Sequence, residues 1–565
     1  MGFLNWRVHN FSDTLNYCMM RRVAGTQNFF GDDGFSENKF VHMAMNPYDT
    51  VGYPGFALAQ AHPNRLATVA TLFGMTPADV SHCRVLELGC GDGLNLISVA
   101  LGLTEAECLG VDLSQTGIVK GQNIVRELGL KNIELRQFDI MDIGSDIGKF
   151  DYIVAHGIYS WVPPQVRDKL LCVCKQNLSE NGIAYVSYNT YPGSHLRDMM
   201  RGMMLYHVSE FSDPERRVSQ ARALVSFLAQ SSTEHNSYRQ ILKMELDRIN
   251  EARDSSLFHD DLAEYNAPVY FYQFVDHAAR YGLKYLCEAH LFEIQTGIFP
   301  PEVVQTLQQM SDSAIAQEQY LDFLKGRRFR QTLLCHEDRQ LDNAPSPKKI
   351  RSFYVASPVQ SETSDRQLVS TETVAFLGPN NSSINTDNPL IKAAMSALGG
   401  AWPMAMSFLD LLAKARAVCG RNPSEPGEDV EADAQALADM LLRAYAGGVA
   451  EFHIHPPQFV SKANEKPIAS PLARMQSRMG VGVINLRHNN IAVEEALGRH
   501  LLQLLDGSRD RNDLLNDLVI AVESGLIKVE RADNSTREPI DIRKVLAVEL
   551  EQYLAKAARL ALLVA

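Results

Sequence analysis

Residues 83–93 read CRVLELGCGDG and decide how the chain begins to fold. A short apolar run carrying Glu87 stops at a glycine cluster, and the following residues, LNLISVALGL, repeat apolar side chains at helical spacing. The pattern predicts strand, tight turn, helix. Gly89, Gly91 and Gly93 let the backbone turn sharply and approach a ligand, with the amides of the helix start facing it. Their spacing is GxGxG, not the dinucleotide GxGxxG, and a glycine turn of this kind standing alone is often only a turn.

The downstream units make it more than a turn. AECLGVDLS (106–114) reads as a second strand ending at Asp112, KNIELRQFDIMD (131–142) as a third ending at Asp139, and KFDYIVAHGIYSWVPP (149–164) as a fourth ending near His156. Four successive strands thus bring a glycine or polar feature to their carboxyl ends, where open α/β sheets bind ligands. Asp112 is placed to accept both hydroxyls of a ribose, and Asp139 to meet the amino edge of adenine. A bland reading, two aspartates merely capping loops, is weaker because order and spacing agree. A dehydrogenase would use the same ribose acid, but Gly93 comes one residue early for a pyrophosphate turn.

Over residues 46–191 this series resembles the class I S-adenosylmethionine-dependent methyltransferases. The resemblance implies an α/β fold, a Rossmann-like doubly wound sheet, with S-adenosyl-L-methionine as cofactor. Glu87, Gly89, Gly91 and Gly93 would surround its methionyl part, Asp112 its ribose and Asp139 its adenine. Asp92 departs from the small residue that relatives often carry in this loop. The segment after strand four is where this fold presents the methyl acceptor, which makes His156, Tyr159 and Trp161 the candidate catalytic residues; Tyr159 and Trp161 read equally as core aromatics capping a helix. Tyr48 and Tyr53 are candidates for a lid.

Beyond strand five (182–193, GIAYVSYNTYPG), HLRDMMRGMMLYHV sets Met199, Met203, Met204 and Tyr206 at helical spacing, a stripe better suited to core or subunit interface than to a cofactor. Two more amphipathic helices (220–230, 238–249) end at the polar break NEARDSS. Residues 267–292 then read as helix, glycine turn at Gly282 and strand, so Leu283–Glu288 should return to the sheet around an inserted helical region. The stretches HPNRLATVATLFGM, FHDDLAEYNAPVYFYQFVDHAARYGLKYL, YLDFLKGRRFRQTLLCH and ASPLARMQ resemble the methyltransferase regulatory region and the bacterial protein-lysine methyltransferases that act on rickettsial outer-membrane proteins. That implies a protein substrate, methylated on lysine in the cytoplasm before export. A small amine or metabolite acceptor, and a cofactor-binding assembly protein without catalysis, are the rival readings.

The expected organisation is an irregular extension (1–42), methyltransferase core (43–192), helical insertion (193–257), return to the sheet with following helices (258–338), linker (339–352), a winged-helix-like middle domain (353–460) and a C-terminal helical or winged module (461–565) that holds peptide. Met43 or Met45 is a candidate native start, and Trp6 stands where an N-myristoylation motif wants Ser or Thr. The insertion is a candidate homodimer surface. Nine scattered cysteines suit reduced thiols, and Cys172 and Cys174, inside an apolar helical run, read as buried rather than metal-binding. His453 and His455 share a strand face but lack further ligand spacing, so packing is preferred and no metal is expected. A net charge of −13 disfavours bulk nucleic-acid binding, and no apolar run reaches membrane-spanning length.

Overall fold

The computed structural model describes residues 47–565, except 232–236, 312, 362–367, 423–427 and 528–540. The expectations for residues 1–42, for Met43 or Met45 as start and for the myristoylation motif lie outside the described residues.

A short helix α1 (Pro47–Thr50) and helix α2 (Pro63–Leu72) lead into strand β1 (Arg84–Leu88). The alternation then runs α3 (Leu94–Gly102), β2 (Glu107–Asp112), α4 (Gln115–Leu128), β3 (Ile133–Gln137), β4 (Phe150–Ala155), α5 (Pro164–Asn177) and β5 (Leu178–Asn189). Three insertion helices follow, α6 (Ser194–His207), α7 (Pro214–Ser231) and α8 (Ser237–Glu251), before α9 (Phe271–Arg280), β6 (Leu283–Glu288), α10 (Pro301–Met310), α11 (Ala314–Lys325) and β7 (Phe329–His336). The strands form one sheet in the order β3-β2-β1-β4-β5-β7-β6, with β1 to β5 parallel and β7 antiparallel to both neighbours. Leu283–Glu288 therefore joins the sheet, but through β7, a strand that the arginine-rich stretch GRRFRQ did not suggest.

Side-chain alternation distributes each strand between two apolar layers. Leu86, Ile153, Ala184 and Tyr188 pack with α5 and α9 on one face. Val85, Val154, Ile183 and Tyr185 face α2 and α3 on the other, and that layer runs without a break into the following domain through Phe353, Val355, Leu437 and Phe452. This middle domain holds the three-stranded antiparallel sheet β11-β8-β12 (β8 Tyr354–Ala356, β11 Met406–Ser407, β12 Glu451–His453), with the hairpin of β9 (Val374–Leu377) and β10 (Ser383–Thr386) and the helices α12 (Pro389–Ala401), α13 (Phe408–Val418) and α14 (Glu428–Ala446). The Pro- and Ser-rich stretch before it lies along the sheet domain, with Asp342 and Ser346 donating to the carbonyls of Phe73 and Leu72. The C-terminal module, comprising α15 (Pro471–Met479), the hairpin of β13 (Gly482–Ile484) and β14 (Asn490–Ala492), α16 (Ala496–Leu504), α17 (Arg511–Glu523) and α18 (Ile542–Arg559), closes on its own apolar core around Val483, Leu501, Leu514 and Leu550.

The methionine stripe needs a change of phase. Met200, Met204 and Val208, spaced by four, are fully buried against Val225 and Leu242 of α7 and α8, whereas Tyr206 is 85% exposed. The i, i+4, i+8 row faces the neighbouring helices, and Tyr206 falls on the opposite side.

The far edge of the sheet is pinned by a buried charge cluster. Arg330 on β7 is fully enclosed and donates to Asp322 (2.8 and 2.9 Å), to Glu318 (2.9 Å) and to Glu288 on β6 (2.6 Å), while its guanidinium lies 3.7 Å from the centre of the Phe271 ring. Removing the cation leaves Glu288 without its ion-pair partner and leaves Asp322 and Glu318 only Arg327, at 3.1 and 3.8 Å, as counter-charge. Arg330→Met is expected to cost about 3–5 kcal/mol of stability, read as a lowered urea midpoint; a shift within error would show that the cluster contributes no net stability.

Candidate functional site

The loop between β1 and α3 is shaped by left-handed glycines. Gly89 (φ 67°) lies so close to Ile158 that an added Cβ would meet its Cδ1 at 2.1 Å, whereas a Cβ at Gly91 (φ 59°) would meet nothing within 4 Å. The first glycine lets the loop pack and the second leaves open space beside the backbone. Asp112, at the end of β2, ties this loop down. Its carboxylate accepts from the Gly91 amide at 2.8 Å and the Ser114 amide at 2.7 Å, which leaves acceptor capacity on both oxygens. Burial pushes the Asp112 carboxyl above its ordinary range despite those two amides.

Glu87 sits beneath the loop at 4% exposure. Its Oε1 accepts from Asn95 Nδ2 at 2.9 Å, while Oε2 is buried with no hydrogen-bond partner. Burial raises its carboxyl to about 8; the Asn95 bond opposes the rise, and the nearby Asp112 and Asp92 add to it. A buried acid with one empty acceptor, beside an open glycine backbone, suits a cationic donor. Asp139, partly buried at the end of β3, accepts from the Met141 amide at 2.8 Å and caps a short turn. Glu87, the three glycines and Asp112 therefore come together at the carboxyl ends of β1 and β2, with Asp139 one strand further along.

The departure at Asp92 has a visible use. Its side chain receives Lys120 at 2.7 Å and the Leu94 amide at 3.2 Å, and a Cβ at Gly55 would lie 2.0 Å from its Oδ1. The segment from α1 to Gly55 thus crosses directly over the glycine loop. Asp49 anchors it to the start of α4 by accepting from Ser114 Oγ (2.7 Å) and the Thr116 amide (3.0 Å). On this strap the Tyr48 ring stacks on His259 at 4.3 Å, and Tyr53 meets the same imidazole edge-on at 5.6 Å and donates to Asp260 at 3.4 Å. Burial lifts the Tyr48 hydroxyl to about 12, with the charges of Asp260 and Asp112 adding to the rise.

His259, Asp260 and Asp261 come from a π-helical turn, Leu257–Asp261, a geometry common at functional sites. The two aspartates diverge. Burial would raise Asp261, but Arg197 and Arg248 outweigh it and hold its carboxyl at about 2; the bonds are 3.1 Å to Arg197 and 2.8 Å to Arg248. Burial instead carries Asp260 up to about 6 against the pull of Arg197. Sequence reasoning missed this pair; three polar residues between Phe258 and Leu262 were the available signal.

The three acceptor-side candidates separate. His156 faces a cavity of about 2110 Å³ that opens between the sheet, the middle domain and the C-terminal module and is also lined by Phe56, Phe329, Arg65 and Trp402. Tyr185 donates to Gln331 Oε1 (2.8 Å), so its hydroxyl accepts from His156 Nδ1 (2.9 Å) and the remaining ring nitrogen, Nε2, is an acceptor. Burial lowers His156 to about 4, which keeps it neutral. Trp161 is half-buried, with the Arg197 guanidinium 5.8 Å from its ring centre. Tyr159 does not reach the cavity side: at 2% exposure it packs on Tyr188 and Phe274 in the opposite layer, and its hydroxyl meets His277 Nδ1 at 2.8 Å. Its surroundings are those of a core aromatic, because the turn after β4 points it back under α5.

His453 and His455 serve a domain contact. Asn64 Nδ2 lies 2.8 Å from His453 Nδ1, and the His455 amide donates to Asn64 Oδ1 at 2.9 Å. Cys174 is fully enclosed, with its thiol pushed up to about 12 by burial.

Residues 79–246 match the family described as a methyltransferase domain, residues 253–336 a predicted methyltransferase regulatory domain, and residues 465–562 the C-terminal winged helix domain of PKMT. The uncharacterized protein RP789 of Rickettsia prowazekii is 34% identical over 528 residues, covering 92% of this chain and 94% of that protein. The structure of PKMT2 from Rickettsia typhi aligns with a TM-score of 0.81 at 27% identity, covering 91% of this chain and all of that one, and its complex with AdoHcy aligns with a TM-score of 0.80 at 28% identity.

Proposed function

Because this chain belongs to the family of S-adenosylmethionine-dependent methyltransferases that carry a methyltransferase regulatory domain and a PKMT winged helix domain, we propose that it methylates lysine side chains of a protein substrate. The observation that carries the choice of acceptor is the cavity of about 2110 Å³ reaching His156. Sites for small molecules span roughly 300–1,000 Å³, so a free amine would leave most of this space unfilled, whereas a polypeptide segment fills it. An outer-membrane protein awaiting export, met in the cytoplasm, is the substrate we assign by resemblance. A homodimer formed through the insertion fits the exposure of Tyr206 (85%) and Phe227 (63%) on α6 and α7.

S-Adenosylmethionine, when bound, supplies a methyl group already made electrophilic by its sulfonium. The chain's work is to hold that group and to prepare the acceptor. Glu87 Oε2 would take the amino group of the methionyl part, Gly91 would admit its backbone-like end in a loop that Gly89 and Gly93 let pack against Ile158 and Leu135, Asp112 would take the ribose hydroxyls and Asp139 the adenine edge. Tyr48 and Tyr53 cover the site from the strap. A lysine enters as an ammonium with a pKa of about 10.4 and must arrive as a neutral amine. Desolvation where Phe56 and His156 line the cavity would lower its proton affinity, the Nε2 of His156 would accept a hydrogen bond, and Asp260, which Tyr53 links to the Phe56 side, would receive the proton.

Incubation with isotopically labelled cofactor and outer-membrane-protein fragments, followed by peptide mass spectrometry, should place methyl groups on lysines, with Asp112→Ala abolishing cofactor binding. Label appearing only on small amines would overturn the reading. As pH rises through about 6, Asp260 ionises, so kcat/KM should rise through a limb near that pH; Asp260→Asn should remove this limb and leave the rise set by the lysine at higher pH. Glu87, largely protonated at pH 7 in the free protein, must ionise to meet an ammonium. Calorimetry in buffers of different ionisation enthalpy should therefore detect close to one proton released on cofactor binding, with affinity strengthening as pH rises toward 8. Glu87→Gln should abolish the release, and a buffer-independent heat for the unsubstituted protein would refute this role.

A further inference from the structure

The C-terminal module has its own apolar core, adds Leu472, Met475 and Ile484 to the apolar layer of the sheet domain, and sends polar groups into that domain from the tip of the β13–β14 hairpin. There Asn485 begins a tight turn, accepting from the His488 amide at 3.0 Å, and His488 occupies the left-handed region (φ 57°) that glycine adopts without penalty. A histidine in that conformation carries a backbone cost that glycine would avoid. The ring is 5% exposed and lies in the sheet domain, 2.8 Å by Nδ1 from Ser98 Oγ and 2.9 Å by Nε2 from Asn95 Oδ1.

The hydrogen-bond directions follow from Asn95. Its Nδ2 donates to Glu87, and its Oδ1 already accepts from the Leu58 amide at 2.8 Å, so the oxygen accepts from His488 Nε2–H as well. His488 Nδ1 is then the acceptor for Ser98 Oγ–H, which defines a neutral Nε2–H imidazole. The same hairpin grips the strap, since Asn490 exchanges two bonds of 2.9 Å with the amide and carbonyl of Ala57. One short turn, 393 residues along the chain from Asn95, thus reaches both the residue that orients Glu87 and the segment that carries Tyr53 and Phe56.

We infer that His488 is a positioning residue of the winged module that, through Asn95, aims the free oxygen of Glu87 at the methionyl end of the cofactor. The inference rests on the reading of Glu87 given above. It differs from simple domain adhesion in what it affects: the amino-acid end of the cofactor depends on the Glu87 oxygen, whereas the ribose and adenine depend on Asp112 and Asp139.

The full chain and its His488→Ala and His488→Gln variants should be titrated calorimetrically with S-adenosylhomocysteine and with 5′-methylthioadenosine, which keeps the ribose and adenine but lacks the amino-acid end. His488→Ala should weaken S-adenosylhomocysteine at least tenfold and leave methylthioadenosine within about twofold. His488→Gln, whose amide can still donate to Asn95, should recover most of the loss. If His488→Ala does not fold, Ser98→Ala, which frees the tautomer without emptying the site, should give a smaller loss with the same ligand selectivity. Equal weakening of both ligands, or no weakening of either, would overturn the inference while the site reading stands. Failure of the unsubstituted protein to bind S-adenosylhomocysteine would overturn both.

Discussion

The carboxylate of Asp112 is the joint on which the site depends. It accepts amides from two loops that leave neighbouring strands, Gly91 after β1 and Ser114 after β2, and so fixes the glycine turn relative to the start of α4. The strap docks on the same place, because Asp49 binds the Ser114 hydroxyl and Gly55 rests on Asp92. An acid that spends half its acceptor capacity on backbone amides is held rigidly, and its remaining lone pairs are aimed before any ligand arrives. Such preorganisation is what gives a site made of short loops its precision.

The same economy governs charge in the π-helical turn. Two adjacent aspartates face opposite ways: Asp261 is pinned between Arg197 and Arg248, and Asp260 is left with a tyrosine hydroxyl and a partial share of Arg197. The first ion is part of the scaffold joining α6 and α8 to the turn. The second can change its protonation state near neutral pH without unlocking that scaffold, because the neighbouring charges are satisfied elsewhere.

What could be read from the chain and what could not divides by the range of the interactions. The strands β1 to β4 were legible because apolar runs, glycine turns and terminal aspartates are local features, and the convergence of Glu87, Gly91 and Asp112 follows from parallel connectivity alone. β7 was illegible because Arg330 makes its segment look solvated; the carboxylates that neutralise it come from β6 and α11. Tyr159 followed the correct turn into the wrong layer, since one residue decides which side of the sheet a ring enters. Met199 and Met203 were chosen over Met200 by spacing alone, while α7 and α8 select the buried row. Asn95, a lone amide in an apolar helix, was a signal in plain view, but its partner His488 lies far beyond any local pattern.

The unbroken apolar layer between the sheet and the middle domain bears on how the protein is made. The wall presented by Val85, Val154 and Tyr185 shares its layer with Leu437, Tyr445 and Phe452, which leave the ribosome hundreds of residues later. At synthesis rates of about 5–20 residues per second, a nascent methyltransferase sheet waits tens of seconds for part of its covering. Nascent chains of this protein therefore present a greasy surface to chaperones until the middle domain emerges, and a shortened gene encoding the sheet alone would yield a sticky, aggregation-prone product instead of a compact enzyme.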